Sequence, residues 1–129
     1  MNNPSFVHLD VNTEYSLGRS IIRRDALIEA CIEMDMPAFG VTEHNNLFSA
    51  YKLFKSSQKK GIKYIIGSTI TIVDQEERSK SNLSLLCENE VGYKNLCGLI
   101  TKSYIKGLSK DEPLIDMKWL EGQTDGLIA

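Results

Sequence analysis

The chain has 129 residues, which is enough for one domain at most. Apolar residues make up 42% of it and charged residues 25%, values that are usual for a globular protein. The 15 basic and 17 acidic residues leave a formal net charge of −2. The overall charge therefore gives no support to direct binding of nucleic acid by this segment.

Cysteine spacing and hydropathy predict a cytoplasmic protein. Cys31, Cys87 and Cys97 form no CxxC pair, and we expect them to be buried free thiols in a reducing compartment. No apolar run approaches the roughly 20 residues needed to span a bilayer, and the first residues lack a signal pattern. We therefore expect no membrane partner.

The first half of the chain alternates between strand and helix patterns. Residues 1–5 are polar and are expected to be loose. A strand is predicted at residues 6–11, a polar loop at 13–20 and a helix at 25–36, where apolar residues recur at helical spacing until Pro37. A buried strand at 38–42 then leads to a second helix. That helix is capped by Asn45 or Asn46, ends at Gly61 and has four residues expected to be buried: Leu47, Ala50, Tyr51 and Phe54.

The second half continues this pattern. Strands are predicted at 62–66, 69–73 and 81–87, with a charged loop at 74–82. A helix at 91–105 and a linker at 107–113 follow. Asp116 is expected to cap a short helix that carries Trp119, and residues 126–129 begin another strand. The order predicts an α/β fold with a largely parallel sheet, in which strand ends share one ligand-binding rim.

Five stretches of the chain match one family in order and in spacing. They are HLDVNTEYSLGR at 8–19, VTEHNNL at 41–47, GIKYIIG at 61–67, LSLLCENEVGYKNL at 83–96, and IDMKWL at 115–120 with DGLIA at 125–129. The chain resembles the PHP (polymerase and histidinol phosphatase) domain, in the form that starts the alpha subunit of bacterial DNA polymerase III. The resemblance implies a distorted seven-stranded β/α barrel. Residues 1–129 would form its N-terminal, front part, as a fragment of a longer polymerase chain.

The resemblance also implies a metal site, and its ligand positions are substituted here. The HxH pair of the family falls on Asp10 and Asn12, and its next aspartate falls on Arg19. Later positions fall on His44, which is kept, and on Thr69 and Asn82, which are not. A positive charge and three neutral side chains are poor ligands for divalent cations. We therefore expect no catalytic residue and no bound Zn²⁺ or Mn²⁺ in this segment, with Asp10 and His44 the weak metal candidates.

Two alternatives remain open at these positions. His8 fits a hydrogen-bonded structural role better than a ligand role, although it shares a strand face with Asp10 and Asn12. Asp10 and Arg19 are hypothesised to form an ion pair where the metals of the family lie.

The resemblance implies a function for the whole polypeptide. The parent chain would be a DNA-directed DNA polymerase in DNA replication, using Mg²⁺ bound outside this segment and contacting DNA through its other parts. This segment would be a degenerate scaffold that braces the rest of the chain and helps dock a proofreading exonuclease subunit. The alternatives are a metal-dependent phosphoesterase or 3′–5′ exonuclease, and a freestanding interaction module.

Overall fold

The computed structural model describes residues 6–129, and the expectation for residues 1–5 lies outside that range. Within it, three α-helices pack on a five-stranded sheet. They are α1 (Arg24–Glu33), α2 (Ala50–Lys60) and α3 (Glu90–Lys106), and a 3₁₀ helix follows at Met117–Leu120. The strands are β1 (Ala38–His44), β2 (Lys63–Asp74), β3 (Ser79–Cys87), β4 (Leu108–Ser109), β5 (Glu112–Pro113), β6 (Ile115–Asp116) and β7 (Leu127–Ile128).

The sheet is mixed, with the order β1-β2-β3-β7 and β6 beside the far end of β2. β1 and β6 run parallel to β2, whereas β3 runs antiparallel to both β2 and β7. The two strands predicted at 62–66 and 69–73 are one continuous strand, and a tight turn reverses the chain into β3. The predicted α/β fold is confirmed, and this reversal is what makes the sheet mixed.

The strand predicted at residues 6–11 is wrong in its extent. Within that range, which the structure describes in full, only Val11 forms a β-bridge, to Val41. The Gly40 N–H donates to the carbonyl of His8 at 2.7 Å, while the Gly40 carbonyl accepts from Val11 N–H at 3.2 Å. In a regular parallel ladder, the Gly40 N–H would donate to the carbonyl of Leu9 rather than to that of His8. One extra residue is therefore inserted before Val11, and the alternation of side chains between the two sheet faces is broken. Gly40 permits this, because a Cβ there would lie 3.0 Å from the Leu9 Cα.

The first helix ends earlier than predicted. Its last residue is Glu33 rather than Met36, and Asp35 adopts a positive φ of 53°. Met36 precedes Pro37, which disfavours the helical region for Met36. Asp tolerates the left-handed conformation, so the chain leaves the helix at Asp35, one residue before Met36, the residue that Pro37 restricts.

The burial predicted for the second helix is confirmed for Ala50, only partial for Leu47, and wrong for Tyr51 and Phe54. Its buried residues are Ala50, Leu53 and Ser57, whereas Tyr51 and Phe54 are 68% and 45% exposed. Leu53 joins the α1 side chains that cover β1, which sets the helix rotation.

The start of α2 differs from the prediction, whereas its end matches it. Ser49 rather than an asparagine precedes the helix, and the Asn46 side chain instead accepts from the Phe48 N–H at 3.0 Å. The predicted end at Gly61 is confirmed, with φ at 72°.

The helix side of the sheet carries two apolar clusters. The first lies between β1, α1 and α2, and its buried members are Leu27, Ile28, Cys31, Phe39, Val41, Leu53 and Ile62. The second lies between β2, β3, β6 and α3, and its buried members are Ile70, Ile72, Leu85, Leu96, Leu99 and Ile115. All three cysteines are free thiols; Cys31 is buried, and Cys87 and Cys97 are half-buried rather than buried.

The C-terminal part follows the local signals closely. Asn89 caps α3 by accepting from the Gly92 N–H at 3.1 Å. Asp116 caps the 3₁₀ helix by accepting from the Lys118 N–H at 2.9 Å, as predicted. The predicted linker holds the β4–β5 hairpin, whose turn residues Lys110 and Asp111 have positive φ. Within residues 6–129, no helix is both long and apolar enough to cross a membrane.

Candidate functional site

The substituted metal positions lie on the sheet face that is turned away from the helices. Val41, Ile70 and Leu85 point toward the helices, so their sequence neighbours point to the other side. The register places His44 opposite Thr69, Thr69 opposite Ser84, and Thr71 opposite Asn82. This face therefore gathers imidazole, hydroxyl and amide groups, as the carry-over by position predicted.

Arg19 binds His44 on this face. The Arg19 Nη2 lies 3.2 Å from the His44 Nε2. Because a guanidinium donates and never accepts, Nε2 must be the acceptor and the ring proton must sit on Nδ1. Burial lowers the pKa of His44, and the charge of Arg19 lowers it further, against a smaller opposing effect of Glu112. His44 is therefore held neutral, with its Nε2 lone pair committed to an arginine.

Asp10 has hydroxyl partners. Its Oδ1 accepts a hydrogen bond from the Thr42 hydroxyl and lies 3.5 Å from the Ser84 Oγ. Thr69 and Ser84 in turn share a hydrogen bond of 2.8 Å. In the part of the chain that the structure describes, Asp10 forms no ion pair with Arg19. The hypothesis of an Asp10–Arg19 pair is wrong, because the loop carries Arg19 to His44 instead.

Glu43 is a buried carboxylate on the opposite face of β1, with a side chain that is 1% exposed. Both of its oxygens accept from the Thr13 N–H at 3.2 Å, and it also accepts from the hydroxyls of Thr13, Ser16 and Ser49. Glu43 therefore fixes the loop that leads to Arg19. The sequence analysis did not assign this role, which strand alternation next to His44 and the hydroxyl-rich loops on either side could have indicated.

The end of β1 is held by a second set of hydrogen bonds. The His44 N–H donates to Ser16 Oγ at 3.0 Å. Asn45 adopts a positive φ of 54°. Its side-chain oxygen accepts from the Thr71 N–H at 2.9 Å, and its side-chain amide donates to the Thr71 hydroxyl at 3.2 Å. Tyr104 donates its hydroxyl to the Asn45 carbonyl at 3.0 Å. These hydrogen bonds hold the backbone at the end of β1, where His44 contacts Arg19.

Two cavities meet at Arg19. One of about 1000 Å³ is lined by His8, Asp10, Asn12 and Arg19 and continues along α1. The other, of about 440 Å³, is lined by His44 and the loop at residues 15–19. His8 packs edge-on against Phe6 with ring centroids 4.7 Å apart. Asp10 and Asn12 share one cavity with Arg19, and His44 shares the other. Sequence reasoning did not identify the partner of Arg19.

The side chains at this site do not fit a cluster of divalent cations. The six positions supply one carboxylate and one imidazole, and the imidazole nitrogen is already bound by a guanidinium. Nowhere in residues 6–129 do three or more His, Cys, Asp or Glu side chains come together as a metal site would require. Neutral amides and a hydroxyl at Asn12, Asn82 and Thr69 add little affinity for such ions. The absence of bound metal stays a prediction.

Comparison with known proteins agrees with the fold and the motif order. A sequence model of the PHP domain matches residues 8–129. Proteins named DNA polymerase III subunit alpha are 35% identical in Vibrio cholerae over 129 residues and 39% identical in Pseudomonas aeruginosa over 126 residues. These matches cover 99% and 97% of this chain, but the chain spans 11% of the length of either relative.

One solved structure shares the fold at low sequence identity. It is a Bifidobacterium adolescentis protein assigned to the metal-dependent phosphoesterases, with a TM-score of 0.60 and 16% identity. The match covers 95% of this chain and 44% of that one. With the family match across residues 8–129, these similarities show that the chain belongs to the PHP domain family.

Proposed function

We propose that this chain is the N-terminal PHP segment of a replicative DNA-directed DNA polymerase, the alpha subunit of DNA polymerase III. The relatives that carry this name match nearly the whole chain, and the chain corresponds to 11% of their length. In this proposal residues 1–129 are part of a larger PHP domain in a longer polypeptide. Nucleotide transfer, its Mg²⁺ ions and the contacts with DNA then belong to the rest of that polypeptide.

Within the polymerase, this segment is proposed to be a scaffold without hydrolytic activity. The observation that carries this proposal is the 3.2 Å contact between Arg19 and His44. A guanidinium beside the kept histidine repels cations and occupies the lone pair that a metal would need. The buried network around Glu43 adds the stable connections between loop, strand and helix that a brace requires.

The resemblance to the family also supports a docking role for a separate proofreading exonuclease subunit. The test is co-elution of an associated 3′–5′ exonuclease with the full polypeptide purified from its own cells. An exonuclease that elutes separately from the polymerase under gentle salt would contradict the docking role and leave the scaffold role untouched.

The scaffold proposal is tested by two variants of the full polypeptide. His44→Ala removes the kept histidine, and Glu43→Ala removes the anchor of the loop. We expect His44→Ala to leave primer extension within about twofold of the wild type, whereas Glu43→Ala lowers it together with the thermal unfolding temperature. Phosphoester hydrolysis should stay at background in both variants.

The alternative is a metal-dependent phosphoesterase or 3′–5′ exonuclease at the PHP site, and the name of the structural relative is what favours it. The same experiment separates the two functions. Measurable hydrolysis by the wild type that disappears in His44→Ala, with the unfolding temperature unchanged, would overturn the scaffold proposal.

A further inference from the structure

The outer face of α2, turned away from β1, carries exposed aromatic and basic side chains. It comprises Tyr51, Lys52 and Lys55 of the helix, together with Phe48 just before it and Leu17 of the neighbouring loop. Phe48, Tyr51 and Leu17 are 66%, 68% and 88% exposed. Apolar residues scattered singly over a surface are ordinary. Phe48 and Tyr51 lie three residues apart across the start of α2, and Leu17 lines the same cavity as Phe48, so the three exposed side chains mark a contact region.

Two lysine–tyrosine contacts and one shared cavity connect parts of this surface. The Lys52 Nζ lies 3.2 Å from the Tyr15 hydroxyl, which connects α2 to the loop that carries Leu17. The Lys55 Nζ lies 5.2 Å from the centroid of the Tyr51 ring, one helical turn away. Leu17 and Phe48 line the same cavity with Tyr15. The aromatic rings and the ammonium groups are therefore held next to each other.

The charged residues of α2 are all basic, although Asp111 and Glu112 line the cavity that Leu17 and Phe48 share. Residues 45–73 contain five lysines and no aspartate or glutamate, although the whole chain has a net charge of −2. Lys60 is paired with Glu29 at 2.9 Å. Among residues 6–129, no carboxylate lies within salt-bridge distance of Lys52, Lys55 or Lys59. Lys52 and Lys55 thus present positive charge, without a carboxylate partner, beside the rings of Tyr15 and Tyr51.

We propose that the outer face of α2 is a docking surface for an acidic segment of a separate protein, one that carries apolar anchors between its carboxylates. Aromatic side chains supply buried contact area in protein interfaces, and complementary charge speeds encounter and fixes register. The surface is the convex side of a helix with anchors three residues apart, which suits packing against another protein element. Single-stranded nucleic acid is bound along basic grooves, whereas Tyr51, Lys52 and Lys55 lie on the outer, convex side of α2.

The proposal is tested by zero-length cross-linking of the full polypeptide purified with its associated subunits. A carbodiimide joins a lysine amine to a carboxylate with no spacer, so it reports acidic partners directly. The ion pairs Lys60–Glu29 and Lys80–Glu112 serve as internal positive controls at 2.9 and 2.7 Å. We expect Lys52 or Lys55 to be joined to an aspartate or glutamate of a different polypeptide.

A double variant, Lys52→Glu with Lys55→Glu, gives the quantitative test. We expect affinity for the cross-linked partner to fall about tenfold or more. Lys94→Glu with Lys106→Glu is the matched control, since it makes the same charge change on α3, and it should leave affinity within about twofold.

Three results would overturn the proposal. The first is the formation of cross-links at the two control ion pairs while no cross-link forms at Lys52 or Lys55. The second is cross-links from these lysines solely to carboxylates of the same polypeptide. The third is binding of a single-stranded oligonucleotide that the α2 double variant abolishes and the α3 double variant retains.

Discussion

Two side chains, Arg19 and Glu43, determine the chemistry of this PHP segment. Arg19 places a permanent positive charge 3.2 Å from the one histidine that keeps its family position. Glu43 is buried in a shell of neutral donors and holds the loop that brings Arg19 there. The guanidinium of Arg19 therefore lies among the positions where the resemblance implies metal ligands.

Replacing Arg19 with glutamine should raise the pKa of His44. The charge of Arg19 opposes protonation of the ring, so its removal should move the pKa toward the ordinary value of 6.5. An NMR titration of the imidazole signals measures this, with His8 supplying the second set of signals. Arg23→Gln is the control, and an equal change in both variants would contradict the assigned contact.

The same contact predicts a pH dependence of stability. The native pKa of His44 is lowered, so the unfolded chain takes up this proton at higher pH than the native chain does. The contribution of His44 to the free energy of unfolding is therefore fully present above the unfolded pKa of 6.5 and is lost as pH falls through the native pKa. The free energy of unfolding measured in urea should fall more between about pH 7.5 and about pH 5 in the wild type than in His44→Gln. Equal losses would show that His44 titrates alike in both states.

Glu43→Gln should destabilise the protein by about 2–4 kcal/mol, because an amide NH₂ would face hydroxyl and N–H groups that now donate to a carboxylate. Chemical denaturation measures the free energy of unfolding. Glu14→Gln, at an exposed position on the same loop, should change it by less than about 0.5 kcal/mol. Similar values for the two variants would mean that the loop does not depend on Glu43.

At the scale of elements, local signals succeeded where the determining contacts are local. Asp116 and Gly61 mark helix ends in the sequence and do so in the structure. The strand at residues 6–11 failed because its bulge depends on the approach of Leu9 to Gly40, about thirty residues along the chain. The prediction that Tyr51 of α2 is buried failed for the same reason, because Leu53, and not Tyr51, packs against the α1 side chains in the core.

Two glycine substitutions that add the same methyl group should have opposite effects. Gly61 ends α2 with φ at 72°, so Gly61→Ala should cost about 1 kcal/mol through backbone strain. Gly98 lies inside α3 with open space around an added Cβ, so Gly98→Ala should stabilise by about 0.5–1 kcal/mol. Thermal unfolding of both variants measures the difference. Shifts of the same sign would contradict the assigned helix boundaries.

At the scale of the whole molecule, the sequence predicted which residues meet at the site but not how they pair. The parallel and antiparallel registers bring His44, Thr69 and Asn82 to one face, as position in the family motifs implied. The partner of Arg19 was not predictable, because it depends on how the loop at residues 13–19 is tied to Glu43 and Ser16. Loop geometry set by buried hydrogen bonds leaves no periodic trace in a sequence.

A PHP segment in which Arg19 contacts His44 should neither bind divalent cations at this site nor use them. The most direct measurement is the metal content of the full polypeptide, purified after exposure to Mn²⁺ and Zn²⁺ and assayed alongside for phosphoester hydrolysis. We predict that this site contributes no tightly bound metal and no hydrolysis, and that His44→Ala therefore changes neither value. Two or more metal ions per chain that are lost in His44→Ala, together with hydrolysis, would contradict this prediction.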